Sequence, residues 1–439
     1  MEKPQVIQLY ELPYADLVGL TSSSPSTQSP EEIQRLGKIT RNVMECLGPT
    51  GPGLIGVSGV PEASRLRQRL LPLARKLSLL SNDQRKRILK EHNLGSDVPL
   101  KILDRIVSSF AMQLKYKTGF GSSHDHDLGQ EFGKNARSKE CLDGDFENLE
   151  SSFKELGHIM MEIGVHLAKI CDRVIGFHEL EDSLLESCTA KGRLIHYHSR
   201  VDNSIIQASL QKPKLSRQKN DPNGLGNGIK LIASKQCGNS SNLWQQWHYD
   251  YGIFTVLTAP MFMLGNYPEV ESGDKSSCIP SAQKYKSPSG HTCLQIFHPE
   301  KNCTLMVKAS PESFIVQVGE AADVLSKGKL RATLHSVCRP AKPENLSRET
   351  FVVFLQPSWS KFLSLSDYPI ERLTFTESIC EESIENSSNT RNESAQSPLR
   401  ICNIIPPLSS RLKDGMTFAQ FSKETTKQYY GTNGLQSKR

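Results

Sequence analysis

The sequence predicts a mainly β protein with flanking helices, its core an antiparallel sandwich or jelly roll. Two observations carry this. Between Cys293 and Gln356, short runs rich in Val, Ile, Phe and Thr follow one another with turns and little helix between them: Cys293–Phe297, Cys303–Val307, Phe314–Val318, Leu330–Val337 and Thr350–Gln356. Upstream, apolar residues recur instead at helical spacing. Phe146, Leu149, Phe153, Leu156, Met160, Ile163, Leu167 and Ile170 mark one long helix with a single buried face, of the kind that braces a sheet.

The remaining elements follow in chain order. Val6–Leu9 reads as a short strand, and the Ser-, Thr- and Pro-containing stretch after it as a linker to Ser29. Ser29-Pro30-Glu31-Glu32 is a helix start, with Ser29 as N-cap, Pro30 at the first position and Glu32 closing a capping box. Ile33, Leu36, Val43 and Leu47 form the buried stripe of that helix, and Gly48 ends it. Gly51-Pro52-Gly53-Leu54-Ile55-Gly56 has Gly-x-Gly-x-x-Gly spacing, but a helix precedes it and a strand follows, the reverse of a dinucleotide-binding turn. Leu66, Leu70, Leu73 and Leu77 mark a further helix, with a kink expected at Pro72. His124-Asp125-His126-Asp127 offers four adjacent ligand types, yet neighbours in sequence cannot all aim at one ion, and a solvated loop is the expectation. Arg193–His198 reads as a strand of the main sheet.

Composition limits the function classes. The chain has 439 residues, 37% apolar and 23% charged, and a net charge of +6, too small for its length to argue for nucleic acid or a membrane surface. The eleven cysteines stand singly, with no Cys-x-x-Cys spacing, so neither a zinc ribbon nor a disulfide framework is expected. With no apolar leader at the N-terminus and no apolar run of membrane-spanning length, a cytoplasmic location is expected, the nucleus remaining open. No nucleic-acid or membrane partner is expected, and the chain is expected to be a monomer.

The chemistry concentrates at His248-Tyr249-Asp250, which leads into the β-rich run Ile253–Thr258. In a strand, residues i and i+2 point to one face about 6.6 Å apart, so an imidazole and a carboxylate at that offset can converge on one ion. A lone His-x-Asp carries little weight. His335 adds a second imidazole from another strand-like run, and two histidines with one carboxylate make the facial triad of non-haem Fe(II) oxygenases. Three protein ligands on one octahedral face leave three positions for a bidentate 2-oxoacid and for O2.

Four segments resemble the plant-type, isopenicillin-N-synthase-like family of 2-oxoglutarate/Fe(II)-dependent dioxygenases. They are Gly53–Pro61, with its Gly-Val-Pro turn; His248–Leu257; Phe314–Glu320 with Leu325–Leu330; and Arg348-Glu349-Thr350-Phe351-Val352-Val353-Phe354, similar to the family's Arg-x-Ser-x-x-x-Phe with Thr for Ser. The resemblance implies a double-stranded β-helix, the cupin-like jelly roll. It implies that His248, Asp250 and His335 hold Fe(II), and that Arg348 clamps the distal carboxylate of 2-oxoglutarate with its planar fork. Thr350 would donate to the same carboxylate, and Tyr197 falls where the family's Asn-x-Tyr places a co-substrate tyrosine. O2 is the second co-substrate, and ascorbate is a candidate auxiliary. The activity implied is hydroxylation or desaturation of a small organic substrate. The sequence departs from the family in three places. Ile195 replaces the asparagine of Asn-x-Tyr, Asp250 and His335 are widely separated, and the step from His335 to Arg348 is long enough to make Arg339 an alternative clamp. Ile195 and the insertions keep open a different reading, an oxygenase fold used as a binding or scaffold protein.

The expected organisation is an N-terminal bracing region over 1–190, an oxygenase core over 191–362, and a C-terminal region over 363–439. The core carries insertions at 211–242 and 265–290. The first is basic and reads as either a lid over the substrate or a solvated loop. The Glu-, Ser- and Asn-rich stretch 377–397 is expected to be disordered, with a final helix around Phe418, Phe421 and Tyr429.

Overall fold

The computed structural model describes residues 4–22, 29–96, 106–116, 143–210, 242–266, 280–372 and 405–430. The readings made at His124–Asp127, at 377–397 and for nearly all of 211–242 lie outside them.

The N-terminal region alternates strands and helices. It runs β1 (Val6–Gln8), β2 (Glu11–Pro13), α1 (Tyr14–Ser22), α2 (Pro30–Leu47), β3 (Leu54–Ser58), α3 (Ala63–Leu79), α4 (Asn82–Glu91), β4 (Gly95–Ser96), β5 (Val107–Lys115), α5 (Asp143–Phe146), α6 (Leu149–Ile175) and α7 (Glu179–Ser187). The core continues with β6 (Thr189–Tyr197), α8 (Arg200–Leu210), β7 (Leu243–His248), β8 (Phe254–Thr258), β9 (Met261–Gly265), β10 (Ala282–Tyr285), β11 (Leu294–His298), β12 (Cys303–Lys308), β13 (Phe314–Val318), α9 (Glu320–Leu325), β14 (His335–Cys338) and β15 (Leu346–Leu355). Beyond these lie β16 (Phe362–Leu363), α10 (Leu408–Arg411), β17 (Met416–Thr417) and α11 (Phe418–Tyr430). The last is the helix expected around Phe418 and Tyr429.

Two sheets make the double-stranded β-helix. The smaller runs β1-β12-β11-β14-β7, and the larger β2-β3-β13-β8-β15-β6-β5-β4. Strand β15 organises the larger sheet. One edge pairs with β6 from Arg348 to Leu355, while the other pairs first with β9 and then with β8. Apolar residues from both sheets meet between them, including Ile195, Trp244, Leu257, Leu294, Ile315, Val337 and Val352. The outer face of the larger sheet is covered by α3 and α6, with Phe110, Phe351, Val353 and Leu355 packed against Leu70, Phe153, Met160 and Leu167. Helix α6 lies so close that a Cβ on Gly164 would collide with Leu355.

Several expectations are corrected. The stretch before Ser29 is not all linker. Glu11–Pro13 pairs with β3, and α1 buries Leu17 and Thr21. At α2 only half the capping box forms. The Ser29 hydroxyl accepts from Glu32 N, but the Glu32 carboxylate is taken by Arg35. Ile33 is 51% exposed, whereas Leu36, Val43 and Leu47 are buried. The run Leu330–Val337 becomes strand only at His335, and the segment 265–290 contains β10, which forms a hairpin with β9. Strands β2, β3, β4 and β5 of the first 190 residues belong to the larger sheet. Among the described residues, no helix is long and apolar enough to cross a membrane.

Candidate metal and co-substrate site

Strands β7 and β14 are neighbours in the smaller sheet, and His248 and His335 are direct cross-strand partners. Their rings lie 4.2 Å apart, centroid to centroid. The sheet ladder itself therefore sets the two imidazoles side by side. Asp250 reaches them differently from the sequence reading. It does not share a strand with His248, which is the last residue of β7. It stands in the connection to β8.

That connection is held firmly. Backbone N–H groups at the start of α9, otherwise without intrahelical partners, donate to it: Glu320 N to Asp250 O at 2.8 Å and Ala321 N to Gly252 O at 3.0 Å. Gly319 N donates to Ile253 O at 2.9 Å. Glycine is required at 252, because a Cβ there would meet the Leu355 carbonyl at 2.6 Å. Helix α9 is anchored in turn by the buried Arg411–Glu320 pair and by Arg372 on Asp323. The strand carrying His335 is entered through Thr333, whose N–H donates to Val318 O at 3.0 Å and whose hydroxyl donates to Gly53 O at 2.6 Å.

Each imidazole is oriented by its other nitrogen. His248 Nδ1 donates to the Gln246 carbonyl at 2.8 Å, and His335 Nδ1 to the Thr333 carbonyl at 3.0 Å. Carbonyls only accept, so each Nδ1 carries its proton, and Nε2 is the nitrogen turned to Asp250. Burial, then the neighbouring His335, pushes His248 down to about 4, which keeps that nitrogen unprotonated near neutrality. Asp250 accepts from the Thr255 hydroxyl at 2.6 Å. Its two oxygens lie 3.8 Å from His248 Nε2 and 3.8 Å from His335 Nε2. The three ligand atoms lie within 4.8 Å of one another. Two metal–ligand bonds of about 2.1 Å span up to roughly 4.2 Å, so both 3.8 Å separations fit one ion, while the 4.8 Å outer limit requires the three atoms to close by a few tenths of an ångström on binding. The donor set of two imidazoles and one carboxylate suits non-haem Fe(II).

The other residues singled out by sequence line the space between the sheets. Arg348 and Tyr197 face each other across β15 and β6, both buried, with the guanidinium 5.0 Å from the ring centroid. Arg348 Nε donates to the Thr292 carbonyl at 3.1 Å. Among the described residues no carboxylate pairs with it. Thr350, two residues along the same face, donates to the Thr258 carbonyl at 3.2 Å. The alternative clamp, Arg339, is engaged elsewhere, donating to His198 O at 3.3 Å beside the Trp244 ring. Ile195 is buried on the inner face and offers no polar atom.

Sequence reasoning missed one neighbour. Gln245, opposite Val337 on β7, touches both Tyr197 and His248. Its only signal was a glutamine pair set between Trp244 and Trp247 just before the His-x-Asp.

Residues 261–357, which contain His335, Arg348 and Thr350, match the family model described as the 2OG-Fe(II) oxygenase superfamily. No curated protein matches the chain. Among solved structures it is similar to a full-length Neurospora crassa protein in complex with alpha-KG and thymine, at 13% identity and TM-score 0.47, covering 92% of this chain and 98% of that one. It is also similar to a rice dioxygenase for auxin oxidation, at 15% identity and TM-score 0.46, covering 83% and 87%. JOX2 in complex with 2OG, Fe and JA aligns at 13% identity and TM-score 0.46, covering 98% and 88%. The chain carries a domain of the 2OG-Fe(II) oxygenase superfamily, and with it the Fe(II)- and 2-oxoglutarate-using oxidoreductase chemistry of that family.

Proposed function

We propose that this protein is an Fe(II)- and 2-oxoglutarate-dependent dioxygenase that hydroxylates or desaturates a small organic substrate, releasing succinate and CO2. One observation carries the co-substrate assignment. Arg348 is 2% exposed, and its guanidinium has no carboxylate partner among the described residues. Leaving a buried charge uncompensated costs several kcal/mol, so such a group is stabilised by an anion, and no described residue provides one.

In this reading His248, Asp250 and His335 hold the metal, their orientation fixed by Gln246, Thr255 and Thr333. Bound there, Fe(II) would supply O2 activation coupled to decarboxylation of the 2-oxoacid. Arg348 receives the distal carboxylate through its fork of N–H donors, and the Tyr197 ring holds the guanidinium in place. Thr350 can turn its hydroxyl from the Thr258 carbonyl toward the same carboxylate. The apolar residues between the sheets exclude water from the reacting end.

Anaerobic titration of the purified protein with Fe(II) and 2-oxoglutarate tests this reading. A weak visible charge-transfer band should grow with both additions and be absent from His335→Ala. A band missing from the wild type, or persisting unchanged in His335→Ala, would contradict the assignment.

A further inference from the structure

Gln245 is half-buried beside the triad, and the roles above do not use it. Its carboxamide oxygen lies 2.8 Å from the Tyr197 hydroxyl and its carboxamide nitrogen 2.9 Å from His248 Nε2. Chemistry fixes which end is which. His248 Nδ1 faces a carbonyl and carries the proton, so Nε2 accepts and the Gln245 N–H donates to it. The amide oxygen is then free to accept from Tyr197. Because the Tyr197 ring lies against Arg348, polar contacts run without interruption from His248 through Gln245 and Tyr197 to Arg348.

We infer that Gln245 is a positioning residue for the co-substrate, giving its N–H to an oxygen at the 2-oxoacid end of 2-oxoglutarate. The inference rests on the function proposed above. The lone pair to which Gln245 now donates is the one His248 would give to a metal. Once that lone pair is taken, the amide N–H has lost its acceptor at the rim of the metal face. A half-buried donor left without an acceptor is unfavourable, so an incoming oxygen is favoured there. Two features suit the oxoacid end of 2-oxoglutarate to this place. Its carboxylate and keto oxygens are acceptors only, and its other carboxylate is drawn to Arg348 at the far end of the same run of contacts. Tyr197 contributes twice: its ring supports Arg348, and its hydroxyl keeps the amide from flipping.

The test is the anaerobic charge-transfer spectrum, which reports ligand binding without turnover. Gln245→Leu removes both amide contacts. Gln245→Glu keeps the size and an oxygen toward Tyr197 but replaces the N–H by an acceptor, which guards against a result due only to misfolding. Both variants should weaken 2-oxoglutarate binding roughly tenfold or more, as expected for losing a hydrogen bond to a charged group. Both should also shift the band of the saturated complex, which a merely structural role would leave in place. If the wild type shows the band and His335→Ala abolishes it, but both Gln245 variants keep wild-type affinity and band position, this inference is overturned and the proposed function stands. If the wild type shows no band, the proposed function falls and this inference with it.

Discussion

Two adjacent residue pairs on the same two strands have opposite fates. Arg348 faces Tyr197 across β15 and β6, and one residue along Glu349 faces His196. All four are buried. Because side chains alternate along a strand, the first pair points between the sheets and the second points outward beneath the helices. On the outer side the chain matches its own charges. His196 Nδ1 lies 2.9 Å from Glu349, which also accepts from Ser347, and nearby Asp202 is met by Arg75 at 3.0 Å and by Ser199 at 2.7 Å. On the inner side Arg348 meets a ring and a carbonyl but no carboxylate among the described residues. Burial alone therefore does not distinguish architecture from site. What distinguishes them is whether the described residues supply the counter-charge.

The largest effect expected is on the outer side. Asp202→Ala removes the carboxylate that meets buried Arg75 at 3.0 Å, which should destabilise the fold by about 3–5 kcal/mol. Urea unfolding would measure it. In the folded variant, affinity for 2-oxoglutarate should stay within about twofold of wild type, since the network faces away from the site. A comparable loss of 2-oxoglutarate affinity would break the division between the two sides.

On the inner side, Arg348→Lys keeps the charge and loses the fork. A two-point clamp then becomes a point contact, and 2-oxoglutarate affinity should fall roughly ten- to a hundredfold with Fe(II) binding intact. Arg339→Lys, altering a residue committed to His198 and Trp244, should leave that affinity in place. The reverse pattern would move the clamp to Arg339. Thr350→Val should have the smallest effect, roughly three- to tenfold in the same constant, because it removes one neutral donor. No change would confine Thr350 to its bond with Thr258.

The sequence made the triad legible because its residue types are rare in combination and each sits at the edge of a strand-like run. It did not reveal how Asp250 is held. That depends on α9, far downstream in the chain, whose N–H groups grip the Asp250–Ile253 backbone. The His248–His335 pairing is a matter of register between distant strands, which local pattern does not encode. Strand β5 was overlooked because most of Val107–Lys115 is buried on both faces, erasing the alternation that marks a half-exposed strand. Helix α1 was masked by the Ser- and Thr-rich stretch that follows it. Gln245 illustrates the general difficulty. A glutamine in a strand is ordinary until folding puts a tyrosine hydroxyl at one end of its amide and an imidazole at the other.

The central claim is that Arg348 is a buried cation kept for an anionic co-substrate. Thermal or urea unfolding of wild type and Arg348→Met, each with Mn(II) in place of Fe(II) and with or without 2-oxoglutarate, tests it most directly. At a hundred times its dissociation constant, 2-oxoglutarate should stabilise the wild type by about 2.7 kcal/mol. Arg348→Met removes an uncompensated buried charge, so without 2-oxoglutarate it should be at least as stable as wild type, and at the same concentration it should gain nothing. An Arg348→Met protein that is several kcal/mol less stable on its own, yet still gains the full increment from 2-oxoglutarate, would show that Arg348 is architecture after all.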